Sequence, residues 1–94
     1  MHALEANVEK PAVLELKRSG FLVIKLGLAG LPDRMVLGFH GRIWFMEFKT
    51  HSGRLRKAQV IWKRLLENRG FEVLVPRCLD DVRSFIEVNR DPEV

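Results

Sequence analysis

The residues best suited to chemistry in this chain are Asp33, Glu47 and Lys49, within the stretch "GLPDRMVLGFHGRIWFMEFKTHSG". They stand at the ends of two runs rich in Met, Val, Leu, Ile, Trp and Phe, where an isolated ionised group is unfavourable by several kcal/mol unless it is paired or binds a metal. Two carboxylates brought side by side repel each other unless a cation lies between them. Hard oxygen ligands of this kind suit Mg²⁺ or Mn²⁺, which keep several waters and bind phosphate oxygens as well. The carbonyl of Phe48, between the two charged residues, offers a third oxygen. The ammonium of Lys49 is placed to orient an attacking water and to stabilise charge developing on a scissile phosphate. The chemistry these residue types suggest is metal-assisted phosphodiester hydrolysis. The competing reading is a structural salt bridge from Glu47 to Lys49 at a sheet end.

Such a site requires strands that bring the three side chains together. Side chains alternate along a strand, so Glu47 and Lys49 share a face and Phe48 points away. Asp33 joins them only in one hairpin register. A three-residue loop at 39–41 pairs Gly38 with Arg42 and puts Asp33 opposite Glu47. A two-residue loop at 40 and 41 pairs Asp33 with Phe48 and sends the carboxylates to opposite faces. The sequence admits both.

The rest of the chain supplies the supporting elements. The spacing of Leu4, Val8, Ala12, Leu14 and Leu16 predicts a helix over roughly 5–18, with Pro11 either in its first turn or kinking it, and "SG" at Ser19 and Gly20 ending it. "FLVIKL" (21–26) reads as a strand and "GLAGLPD" as a loop. "RMVLGF" and "RIWFMEFK" form the hairpin around "HG". "THSGRLRKA" leads into a helix, "QVIWKRLLENRG", stopped by Gly70. "FEVLVP" is a strand halted by Pro76, and Asp80 and Asp81 suit the N-terminus of a last helix, "LDDVRSFIEVN". The order α-β-β-β-α-β-α predicts an α/β fold with a mixed sheet of about four strands, its hairpin antiparallel and its last connection able to run parallel. Trp44 and Trp62 lie on apolar faces and read as core or subunit-interface residues.

Ninety-four residues, 47% of them hydrophobic, fit one domain spanning 1–94 with a thin core. A single cysteine excludes an intramolecular disulfide, no pair of His and Cys has zinc-ligand spacing, and no apolar run approaches a membrane span. These features, with a polar N-terminus lacking a signal peptide, lead to the expectation of a cytosolic protein. The net charge of +4 is a mild pointer to nucleic acid. Arg54, Arg56, Lys57, Lys63 and Arg64 crowd the loop and helix after the Glu47 strand, where cations would neutralise backbone phosphates without reading sequence.

"GLPD", then "EFK" 14 residues later, then Gln59 in the following helix resembles the VRR-NUC (virus-type replication-repair nuclease) domain of the PD-(D/E)XK nuclease superfamily. The resemblance extends from "VEKPAVLELKRSGF" to "FEVLVPRCLDDVRSFI" and implies a restriction-endonuclease-like core. Carried over by motif, Asp33 and Glu47 look like the metal-binding acids, Lys49 the catalytic lysine and Gln59 a further active-site residue. Glu9 looks like the acid that the first helix contributes to the metal site, with Glu5 and Glu15 competing for that role. Where family members often have a small hydroxyl residue this chain has Arg56, so the helix cap must come from elsewhere or be absent, and Arg56 is free to meet phosphate. The resemblance implies a Mg²⁺- or Mn²⁺-dependent, structure-selective DNA endonuclease resembling homodimeric Holliday-junction resolvases, of phage or prophage origin and acting in a bacterial cytoplasm. The alternative is a nucleic-acid-binding module with the same fold and no turnover.

Overall fold

The computed structural model describes residues 5–93, in which the elements run α1 (Glu5–Arg18), β1 (Leu22–Lys25), β2 (Arg34–Leu37), β3 (Ile43–Met46), α2 (Lys57–Glu67), β4 (Glu72–Leu74) and α3 (Leu79–Asn89). The expected order of elements is the observed one. Leu4 and the Glu5 side chain lie outside what is described. Of the two placements of Pro11, the first turn is excluded: it is the seventh residue of α1, inside a helix begun earlier that runs on through it. Its missing N–H is compensated by packing, because Val8, Ala12 and Leu16 form a buried stripe four residues apart on either side of it. The helix ends where Ser19 N–H donates to Glu15 C=O and Phe21 N–H to Leu16 C=O, with Gly20 at φ 95°.

The sheet has the order β1-β2-β3-β4. β1, β2 and β3 are antiparallel neighbours, and β4 lies parallel to β3 after the chain crosses through α2. The hairpin takes the three-residue loop. Gly38 N–H donates to Arg42 C=O at 2.9 Å, and Leu37 pairs with Ile43, Val36 with Trp44 and Arg34 with Met46. His40 (φ 61°) and Gly41 (φ 75°) both take left-handed conformations to close it.

Alternation along β3 divides the core. Trp44, Met46 and Phe48 face α1 and α3, meeting Ala12, Leu16, Val82 and Ile86; Trp44 packs edge-on against Phe85, with ring centroids 5.0 Å apart. Trp44 is therefore a core residue. Phe45 faces the other way, edge-on to Phe71 just after α2. Beyond Phe45 on this second face come Glu47 and Lys49. Trp62 differs from Trp44: it lies on the outer side of α2, about two-fifths exposed. A Cβ on Gly30 would come within 2.9 Å of its ring, so glycine there (φ +86°) is needed both for the turn and for the close approach of the "GLAGLPD" loop to α2. No described helix is long and apolar enough to cross a membrane.

Candidate active site

The ends of β2 and β3 carry the sheet pattern one step further than the strands proper. Leu26 N–H donates to Asp33 C=O at 3.0 Å, fixing Asp33 beside the end of β1. Across the hairpin the Asp33 carboxylate accepts from Phe48 N–H at 2.8 Å, so a side chain occupies the place of the next ladder contact. On the other side of the same segment, Glu47 N–H donates to Leu74 C=O at 2.9 Å and Lys49 N–H to Pro76 C=O at 3.2 Å. The segment 47–49 is thus held from both sides, by an aspartate and by β4.

Glu47 and Lys49 are each only 3% exposed. Their Oε2 and Nζ atoms lie 3.7 Å apart, an ion pair looser than a direct hydrogen bond. Gln59 of α2 donates from Nε2 to the same Glu47 oxygen at 2.9 Å. Its Oε1 accepts from the Arg56 N–H at 2.7 Å. Arg56 precedes the first residue of α2, so Gln59 provides the acceptor half of a capping box from the third helical position, and this is where the cap of a helix lacking a small hydroxyl residue comes from.

Among the expected site residues, Asp33, Glu47, Lys49 and Gln59 converge on one end of the sheet. Glu9 accepts from Arg34 Nε at 2.8 Å, which ties α1 to the residue after Asp33. Among the described residues no three acid, His or Cys side chains gather closely enough to hold a metal. Asp33 and Glu47 bring two carboxylates to this sheet end, where the Phe48 carbonyl would be the third oxygen of a donor set. It fits Mg²⁺ or Mn²⁺, which take one or two carboxylates and complete their shell with waters and substrate phosphate, and does not fit Zn²⁺. Arg54, Arg56, Lys57 and Arg64 are exposed on the loop and on α2, whereas Lys63 pairs with Glu67 one turn on at 2.8 Å.

Arg77 was not singled out by its sequence context. Directly after the proline that ends β4, its Nη1 donates to the carbonyls of Thr50 (2.9 Å) and Gly53, gripping the turn that leads from Lys49 towards α2. An arginine after Pro76 carries no pattern that sets it apart from the other basic residues.

No family model matches the chain, and neither does any curated protein. Among solved structures, one described as a VRR_NUC domain superposes with a TM-score of 0.80 at 31% sequence identity, covering 92% of this chain and 98% of its own. Similarity of sequence and fold over nearly the full length of both, with the "PD" and "EFK" residues of this chain meeting at one sheet end, establishes that the chain belongs to the VRR-NUC family and has its nuclease fold.

Proposed function

We propose that this protein is a Mg²⁺- or Mn²⁺-dependent endonuclease that hydrolyses phosphodiester bonds in branched DNA, acting as a homodimer of the Holliday-junction-resolvase type. The observation that carries the reading is the convergence of Asp33, Glu47, Lys49 and Gln59 on the end of β3. In this reading Asp33, Glu47 and the Phe48 carbonyl hold the ion. When bound, it polarises the scissile phosphate and lowers the pKa of a coordinated water. Lys49 stabilises charge on the phosphate oxygens, and burial strengthens that interaction by excluding water. Gln59 fixes the Glu47 carboxylate, so the acid is oriented before the substrate arrives. Glu9, held by Arg34 next to Asp33, is the acid that α1 would contribute to the metal site. The exposed Arg54, Arg56, Lys57 and Arg64 meet backbone phosphates.

A dimer is supported by what one face leaves bare. Ile61, Trp62 and Leu65 form an apolar stripe on the outside of α2, and Leu22 and Ile24 of β1 are exposed on the same side of the sheet. Two sites related by a two-fold axis suit two symmetric cuts.

The test is incubation of the protein and its Lys49→Ala form with labelled four-way junction and linear duplex, in Mn²⁺ and in EDTA. The expected result is paired, metal-dependent cutting of the junction by the native chain alone, with both proteins binding the junction. Junction binding without cleavage in any divalent metal would replace this reading with that of a binding module.

A further inference from the structure

A second feature of the fold lies across the sheet from Asp33 and Glu47. β4 is an edge strand. Because the Leu74 and Pro76 carbonyls are turned to β3, the alternate residues Val73 and Val75 direct their N–H and C=O groups outward, and among the described residues neither has a partner on that side. Alongside this edge, between β4 and α3, runs a groove of about 360 Å³. Its walls are Trp44, Met46 and Leu74 from the sheet and Phe85 and Val88 from α3, and Val88 is 80% exposed.

We propose that this edge and groove form a docking site for an extended segment of a partner protein, which adds to β4 as a fifth strand. Paired with Val73 and Val75, such a segment would send every second side chain into the groove, so apolar residues at alternate positions would fill it. The pairing ends at Arg77, the next residue whose backbone groups turn outward, because its N–H is already taken by the Asp81 carboxylate. The charge of the rim selects the flanking residues. Glu72 and Asp81 line the groove and Glu87 flanks it on α3, while Asp80 is offset by Arg83 at 3.6 Å, so the rim is acidic on balance on a chain of net charge +4. The Asp81 carboxylate already accepts from the Arg77 N–H at 2.9 Å, which leaves the exposed Glu72 as the group to meet a lysine or arginine of the partner. Phosphates would be repelled here, and a second copy of this chain would set acid against acid.

A direct test uses the full chain labelled with ¹⁵N and a blocked seven-residue peptide of alternating valine and threonine with lysine at each end. Saturable shifts of the Val73 and Val75 amides and of the Trp44 indole are expected. Glu72→Lys should weaken binding about fivefold, the scale of an exposed ion pair. Ser84→Trp, an exposed position at the groove wall, should abolish it while the remaining resonances and the junction binding of the Asp33 face stay unchanged, which separates a blocked groove from a misfolded chain. Three results would overturn the proposal: unmoved Val73 and Val75 amides at millimolar peptide, equal affinity for the same peptide ending in glutamate, or sedimentation showing a dimer that Ser84→Trp dissociates.

Discussion

A carboxamide has its acceptor and its donors at opposite ends, and Gln59 uses both. Because Oε1 takes the Arg56 N–H, Nε2 must face Glu47, so the cap of α2 and the orientation of a buried acid depend on a single side chain. Replacing it with leucine removes the cap acceptor and a donor to a buried carboxylate together. Gln59→Leu is expected to destabilise the fold by about 2 kcal/mol in urea denaturation, and to lower cleavage more than junction binding. At this scale the sequence was informative where geometry is forced and silent where it is contingent. The period of a strand put Glu47 and Lys49 on one face and Phe48 on the other. Nothing in the order of residues said that the Asp33 carboxylate would accept from Phe48 N–H, that Glu9 would turn to Arg34, or that Arg77 would hold the carbonyls of Thr50 and Gly53. Those partners are distant in sequence and interchangeable in type.

Elements were more legible than their joints. The two possible hairpin registers differ by one residue, and the structure takes the one with left-handed His40, a conformation that a histidine does not announce. For Pro11 the sequence left two placements open, the first turn or the interior of a helix begun earlier, and it lies inside α1, where tertiary packing outweighs its local cost. The docking of α1 on α3 includes a bidentate ion pair, with Arg83 Nε and Nη2 donating to the Glu15 carboxylate at 2.8–3.1 Å. The hydrogen bonds from Arg83 hold the Glu15 carboxyl below its ordinary value of 4.5, with the charge of the guanidinium adding to the effect. A lowered folded-state value means that the contribution to stability is present above the ordinary value and is lost as the pH falls through the folded one. Urea denaturation followed from neutral pH into the acid range should therefore show less acid sensitivity in Arg83→Leu than in the native chain, the difference shrinking in high salt because the pair is exposed.

Over the whole molecule, the pattern of apolar runs and breakers sufficed for an α/β fold, because three consecutive strands and a helical crossover leave few arrangements open. Surfaces were less legible. The apolar spacing of α2 suits a buried helix, yet only Val60 and Leu66 of its apolar residues are half-buried, with Gln59, while Ile61, Trp62 and Leu65 are exposed. In the proposed function the exposed cations of the loop and of α2 would meet phosphate in any sequence. Neutralising Arg54 and Lys57 together is expected to weaken junction and duplex binding alike and to lower the slope of log affinity against log salt by about one per cation. Fluorescence anisotropy over a salt series measures this, and a loss confined to one sequence would contradict it.

The parallel pairing of β4 with β3 carries a consequence for the time order of folding. The contact of Asp33 with Phe48 spans 15 residues and can form with the hairpin, whereas Glu47 and Lys49 are anchored on Leu74 and Pro76, which the chain reaches only after building α2 and returning. Contacts of such separation close late, after the entropy of the intervening loop has been overcome. The proposed catalytic geometry is consequently among the last things the chain acquires, and a partly folded molecule can possess its hairpin while remaining chemically inert.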